Sequence, residues 1–66
     1  MQVTVDVKGD DTHVVTVENG ATYDDILLQL GFSPQEATVL SDGQPVPGDG
    51  HVTETELTVL RLVAGG

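Results

Sequence analysis

Cysteine is absent from this 66-residue sequence, and its absence removes disulfides, thiolate nucleophiles, iron–sulfur clusters and zinc sites of the cysteine type. A single domain of this size buries only about 60% of the surface its unfolded chain exposes. One economical core must therefore carry its stability. The lack of cysteine also suits a reducing cytoplasm better than secretion. No stretch approaches the roughly 20 apolar residues of a membrane span, and the opening MQVTVDV is a strand pattern without the basic flank of a signal peptide. The expected location is the cytoplasm.

Positive charge is the next scarcity. Lys8 and Arg61 are the only basic side chains against eleven Asp and Glu, a formal net charge of −9. Such a surface repels a phosphate backbone, so direct nucleic-acid binding is not expected. An acidic excess with almost no lysine points to a salt-adapted cytoplasm, where counterions screen the self-repulsion that loosens a compact state. A melting temperature that climbs between low and multimolar KCl is the expected result; a flat response would remove this reading. Aromatic residues are equally few. Tyr23 and Phe32 are the whole set, and their positions read as staple and core rather than as a ligand platform.

What the chain does contain is well-punctuated secondary structure. Residues 2–8, QVTVDVK, alternate Val3, Val5 and Val7 with Gln2, Thr4, Asp6 and Lys8, the period-2 signature of a half-buried strand. Gly9-Asp10-Asp11 supplies a turn. Residues 12–18, THVVTVE, form a second strand with Val15 and Val17 inward, giving an N-terminal hairpin that Asn19-Gly20 closes. Thr22 stands where a helix cap belongs, with Asp25 three residues on in a capping-box arrangement and Asp24 favourable to the helix dipole. Tyr23, Ile26, Leu27 and Leu30 make one apolar stripe, and Gly31 occupies the C′ position. That stripe is expected to cover the inner face of the hairpin.

In the second half, residues 32–36 read as a connection in which Ser33-Pro34 starts a single helical turn. Residues 37–41 are a third strand. Asp42-Gly43 signals a hairpin, and Gln44-Pro45-Val46-Pro47 a short edge segment limited by its prolines. Residues 56–63, ELTVLRLV, are the last strand, expected to lie parallel beside the first. The sum is an α+β domain over residues 1–63, a mixed four- to five-stranded sheet on one main helix.

Few residues could carry chemistry. His13 falls in a strand and His51 in a glycine-rich loop, without cysteine or helical pairing that would make a metal site. Asp10-Asp11 and Asp24-Asp25 already have turn and cap roles. Gly48-Asp49-Gly50 lacks both the lysine and the strand-to-helix context of a phosphate loop. An enzyme is not expected.

The sequence VLRLVAGG, residues 59–66, is different. Glycine holds strands poorly and fills no core, so Gly65-Gly66 needs another explanation. A terminal Gly66 carboxylate with no side chain on its α-carbon can pass through a narrow channel and be attacked, once activated, without steric hindrance. Residues 64–66 are expected to be a flexible tail that allows this away from the fold. In the inward register of Leu57 and Val59, Leu60 and Leu62 point outward as large apolar residues on a solvent face, with the stem of Arg61 following the inward set.

The run Leu57 to Gly66, the segment LSDGQPVP, and the order of elements together resemble the β-grasp fold of ubiquitin and of the sulfur carriers ThiS and MoaD. With the acidic, lysine-poor composition they resemble most the small archaeal modifier proteins of haloarchaea. The resemblance implies a monomeric ubiquitin-like modifier that binds no cofactor itself. An E1-like adenylating enzyme would activate Gly66 with ATP. The activated carboxyl would then be joined to a target lysine as an isopeptide, or become a thiocarboxylate for sulfur-transfer proteins, as in tRNA thiolation. Gly66 would be the reacting group, Gly65 the steric permit, and Leu60, Leu62 and Arg61 the residues that dock the activating enzyme. Self-modification could use only Lys8 or the N-terminal amine. Two alternatives share these residues: a dedicated sulfur carrier for molybdopterin or thiamine synthesis, and a non-covalent interaction module of ubiquitin fold.

Overall fold

A computed structural model describes residues 1–62. Val63 at the end of the expected last strand and the expected tail at 64–66 lie outside the described residues. Within them the elements run β1 Gln2–Val7, β2 Thr12–Thr16, α1 Tyr23–Gln29, β3 Ala37–Ser41, β4 Gln44–Pro45 and β5 Glu56–Arg61. They build one five-stranded mixed sheet in the order β2-β1-β5-β3-β4, with the helix on one face, so the β-grasp plan holds.

Register follows from the buried valines. β1 pairs antiparallel with β2, Val3 opposite Val15, and parallel with β5, Val5 opposite Leu57 and Val7 opposite Val59. Val3, Val5, Val7 and Val59 are fully buried, and slipping any pair by one residue would turn this whole set to solvent. β2 ends at Thr16 rather than at residue 18. The Val17 N–H still donates to the Met1 carbonyl at 2.9 Å, after which the chain turns, with Ala21 N–H on the Glu18 carbonyl.

Thr22 caps α1 as its position predicts. Its Oγ1 accepts from the Asp25 N–H at 3.3 Å and the Asp25 Oδ2 accepts from the Thr22 N–H at 2.9 Å, satisfying two donors that a bare helix start leaves orphaned. The next amides are taken by the Gly48-Asp49-Gly50 loop: Tyr23 N–H donates to Gly50 O and Asp24 N–H to Gly48 O. That loop is a structural cap, consistent with its lack of phosphate-loop features. At the far end Gly31 has φ +86°, Gly31 N–H bonds Leu28 O and Phe32 N–H bonds Leu27 O, a Schellman close.

The helix stripe buries more widely than the hairpin alone. Tyr23, Ile26 and Leu27 join one cluster with the β1 and β2 valines and with Ala37, Val39, Val52, Leu57 and Val59, and Leu30 and Phe32 pack at its border. Within the first half of the chain only the hairpin can bury the stripe; β3 and β5 join it because β5 enters the centre of the sheet. Asp42 and Gly43 have φ of +57° and +82°, the two positive angles of a type I′ hairpin turn, and β4 is the two-residue edge its prolines dictate. No helix among the described residues is long and apolar enough to cross a membrane.

Candidate functional site

β5 is hydrogen-bonded on both sides, to β1 and to β3, so its side chains have no freedom to change face. Leu57 and Val59 enter the core, while Leu60 is 41% and Leu62 59% exposed. Both leucines are thus displayed as their alternation predicts. Thr38 lies opposite Leu60 and Leu40 opposite Thr58 on β3, so half-buried Leu40 sits diagonally from Leu60 on the same outer face. Leu40 is a member of the apolar patch that sequence reasoning missed. The signal was present: Ala37 and Val39 inward put residues 38 and 40 outward.

The exit from β5 is held firmly. Leu62 N–H donates to Glu36 O at 2.8 Å. Glu36 is fixed in turn, because its Oε1 accepts from Ser33 N–H, its own N–H donates to Ser33 O, and Ser33 Oγ accepts from Gln35 N–H. This is the single turn the Ser33-Pro34 signal predicts, closed by a Ser-x-x-Glu box.

Arg61 does not share the leucines' face. It follows the register of Leu57 and Val59, and its guanidinium carbon stands 5.7 Å from the Phe32 ring centroid, a cation–π contact worth about 0.5–1 kcal/mol at an exposed site. The Schellman close of α1 is what brings that ring beneath it. Of the three expected docking residues, the fold groups Leu60 with Leu62 and sets Arg61 on the opposite side of the same end.

Lys8 lies at this end too. Its N–H donates to Val59 O at 3.0 Å, and its Nζ is 3.8 Å from Asp6 Oδ2, both side chains largely exposed. An exposed pair of this kind adds little to stability. The N-terminal amine, the other candidate acceptor, is partly buried and donates to Val17 O at 3.0 Å. Lys8 is the more accessible of the two. Next to it on the outer face is a shallow acidic depression lined by Asp6, Asp42, Glu54 and Glu56 with Thr4, Thr58 and Leu40, so Asp6 and Leu40 border both the depression and the apolar patch.

The remaining candidates resolve into structural roles. Asp10 Oδ1 accepts from Asp11 N–H in the β1–β2 turn. His13 is opposite Val5 on β2, and His51 forms an isolated bridge with Thr22. Among the described residues no group of three or more His, Asp or Glu is arranged to hold a metal ion.

Comparison with known proteins gives this arrangement a context. A family model described as Small archaeal modifier protein 2 matches residues 1–63. The Small archaeal modifier protein 2 of Haloferax volcanii is 47% identical over 66 residues, covering all of both chains. A protein of Archaeoglobus fulgidus described as uncharacterized is 37% identical over 67 residues, again over all of both. Among solved structures, the solution structure of a computationally designed protein based on the template of human erythrocytic ubiquitin aligns with a TM-score of 0.67 at 19% identity. That alignment covers 98% of this chain and 95% of the other. At that identity the likeness shows the ubiquitin-type fold alone.

Proposed function

Since the chain belongs to the small archaeal modifier protein 2 family, and is a ubiquitin-like modifier rather than an enzyme, we propose that its chemistry is the activation and transfer of the Gly66 carboxyl. A carboxylate oxygen attacks the α-phosphate of ATP in an activating enzyme, releasing pyrophosphate and leaving an acyl adenylate. The Nζ of a target lysine then attacks the carbonyl carbon. The bond to AMP breaks, AMP leaves with the electron pair, a proton goes to solvent, and an isopeptide remains. Hydrosulfide attacking the same carbon instead forms the C–S bond as the bond to AMP breaks, AMP leaves with the electron pair, the sulfur proton goes to solvent, and the thiocarboxylate used in sulfur transfer remains. ATP and all catalysis belong to the partner, and this chain supplies the electrophile.

The observation that carries the reading is β5. A central strand, bonded on both sides and pinned at Leu62 by Glu36, holds Leu60, Arg61 and Leu62 in a fixed position beside an apolar patch. Docking on Leu60 and Leu62 therefore orients residues 63–66 with little loss of freedom in the folded body. Gly65 contributes by having no Cβ to obstruct the approach.

Mass spectrometry of tryptic peptides from the protein's own cells tests this. Cleavage after Arg61 leaves Leu-Val-Ala-Gly-Gly on a modified lysine, and this five-residue remnant is expected. Intact protein heavier by the difference between sulfur and oxygen is the expected sign of the thiocarboxylate. If neither species is present, covalent use of Gly66 is refuted.

The docking assignment has its own test. Leu60→Glu places a charge on an exposed face, so the fold should lose less than about 1 kcal/mol. Binding to the activating enzyme should fall at least about tenfold if Leu60 is an interface anchor. A large drop in melting temperature with unchanged binding per folded molecule would make Leu60 a packing residue instead.

A further inference from the structure

Lys8 is the only lysine in the chain, and the sheet sets it beside the apolar patch. β1 and β5 are parallel with Val7 opposite Val59, and Lys8 N–H donates to Val59 O, the bond that carries the parallel ladder one residue further. Lys8 is therefore the neighbour of Leu60, one strand spacing of about 4.8 Å away. Its side chain is on the outer face, because Nζ reaches Asp6 and Asp6 alternates with buried Val5 and Val7. The sole acceptor lysine and the exposed leucine stand side by side.

We propose that a second copy of this chain, joined through its Gly66 to Nζ of Lys8, lays its residues 62–66 across Leu60 and Leu40 and so closes the apolar patch to other partners. The inference rests on the conjugation chemistry above, with Nζ as the attacking amine and AMP as the leaving group. Reach permits it: the four residues after Leu62 extend to about 14 Å, whereas crossing from β1 over β5 to β3 takes two strand spacings, about 10 Å. Chemistry directs it, since Leu62-Val63-Ala64-Gly65-Gly66 has no charged or polar side chain. On the outer face Leu60 adjoins Lys8 and Leu62 follows it, Leu40 lies on β3 at the rim of the acidic depression, and the further exposed apolar side chain, Val14 on β2, is opposite Thr4, four positions back along β1.

Charge narrows the occupant further. Acylation turns the Lys8 ammonium into a neutral amide, so the acceptor copy goes from −9 to −10 by losing one positive charge (−9 − 1 = −10). The hydrated cation that holds an apolar segment away from Leu60 is then gone. Two folded bodies this acidic repel each other. The tail of the second copy, and not its body, is the part that fits.

A two-copy conjugate with a native isopeptide at Lys8, made by semisynthesis, tests this, using an acceptor copy labelled in its methyl groups. The reference is the same acceptor with Lys8 acetylated, which loses the charge but carries no second copy. Shifts of the Leu60, Leu62 and Leu40 methyls relative to the acetylated reference are expected, with cross-peaks to Val63 and Ala64 methyls of the second copy. Leu60→Thr in the acceptor should abolish those cross-peaks. Methyl positions identical to the reference would overturn the proposal. Because the conjugate is built chemically, this result is independent of whether cells form adducts, which the remnant search decides separately.

Discussion

Deletion of Gly65 and Gly66 is expected to leave the domain folded and to remove every Leu-Val-Ala-Gly-Gly adduct together with the thiocarboxylate. The described core draws on residues from Val3 to Val59, so stability should be unchanged within about 0.5 kcal/mol. The chemical loss should be complete. The truncated chain would present an alanine, with a Cβ beside the carboxylate, and would fall about 7 Å short of the phosphate it must attack. A misplacement of 1 Å at a reacting centre already costs roughly 100-fold. Gly66→Ala keeps the length and adds only the Cβ, so it should retain partial transfer and separate reach from steric access. Adducts persisting in the deletion variant would sink the proposed use of Gly66.

The second large effect is on stability. Ile26 is fully buried at the centre of the helix stripe, whereas Leu28, two residues along the same helix, is 60% exposed. Ile26→Ala should cost about 3 kcal/mol in lost transfer energy and cavity. A domain of this size has about 3–10 kcal/mol in all, so the variant should melt roughly 12–24 °C lower. Leu28→Ala removes a side chain of similar size from solvent and should change stability by less than about 0.5 kcal/mol. Calorimetry of the two variants side by side decides it. Equal losses would mean that the helix does not pack on the sheet through the Tyr23–Ile26–Leu27 stripe.

Much of this molecule is readable along the chain because its signals are local. The alternation of Val3, Val5 and Val7, the Thr22–Asp25 box, Gly31 and Asp42-Gly43 each act within a few residues, and each has its predicted role. Leu60 and Leu62 are legible for the same reason: once Leu57 and Val59 point inward, the pleat forces the next pair out. The extent of β2 is less legible. Val17 is buried and hydrogen-bonded to Met1, yet the strand ends at Thr16, because the descent into the Glu18–Ala21 turn begins where the hydrophobic pattern still continues.

Composition, period and caps are properties of neighbouring residues, and by themselves they determined the element order, the inward set, the acidic surface and the family resemblance. Neighbours across strands are another matter. That Lys8 adjoins Leu60, that Leu40 completes the patch, that Arg61 rests on Phe32 and that Glu36 holds Leu62 were decided only when β5 inserted between β1 and β3. The reason is physical: cross-strand contacts depend on register between segments far apart in sequence, and burial of the valine faces of β1, β3 and β5 together selects that register.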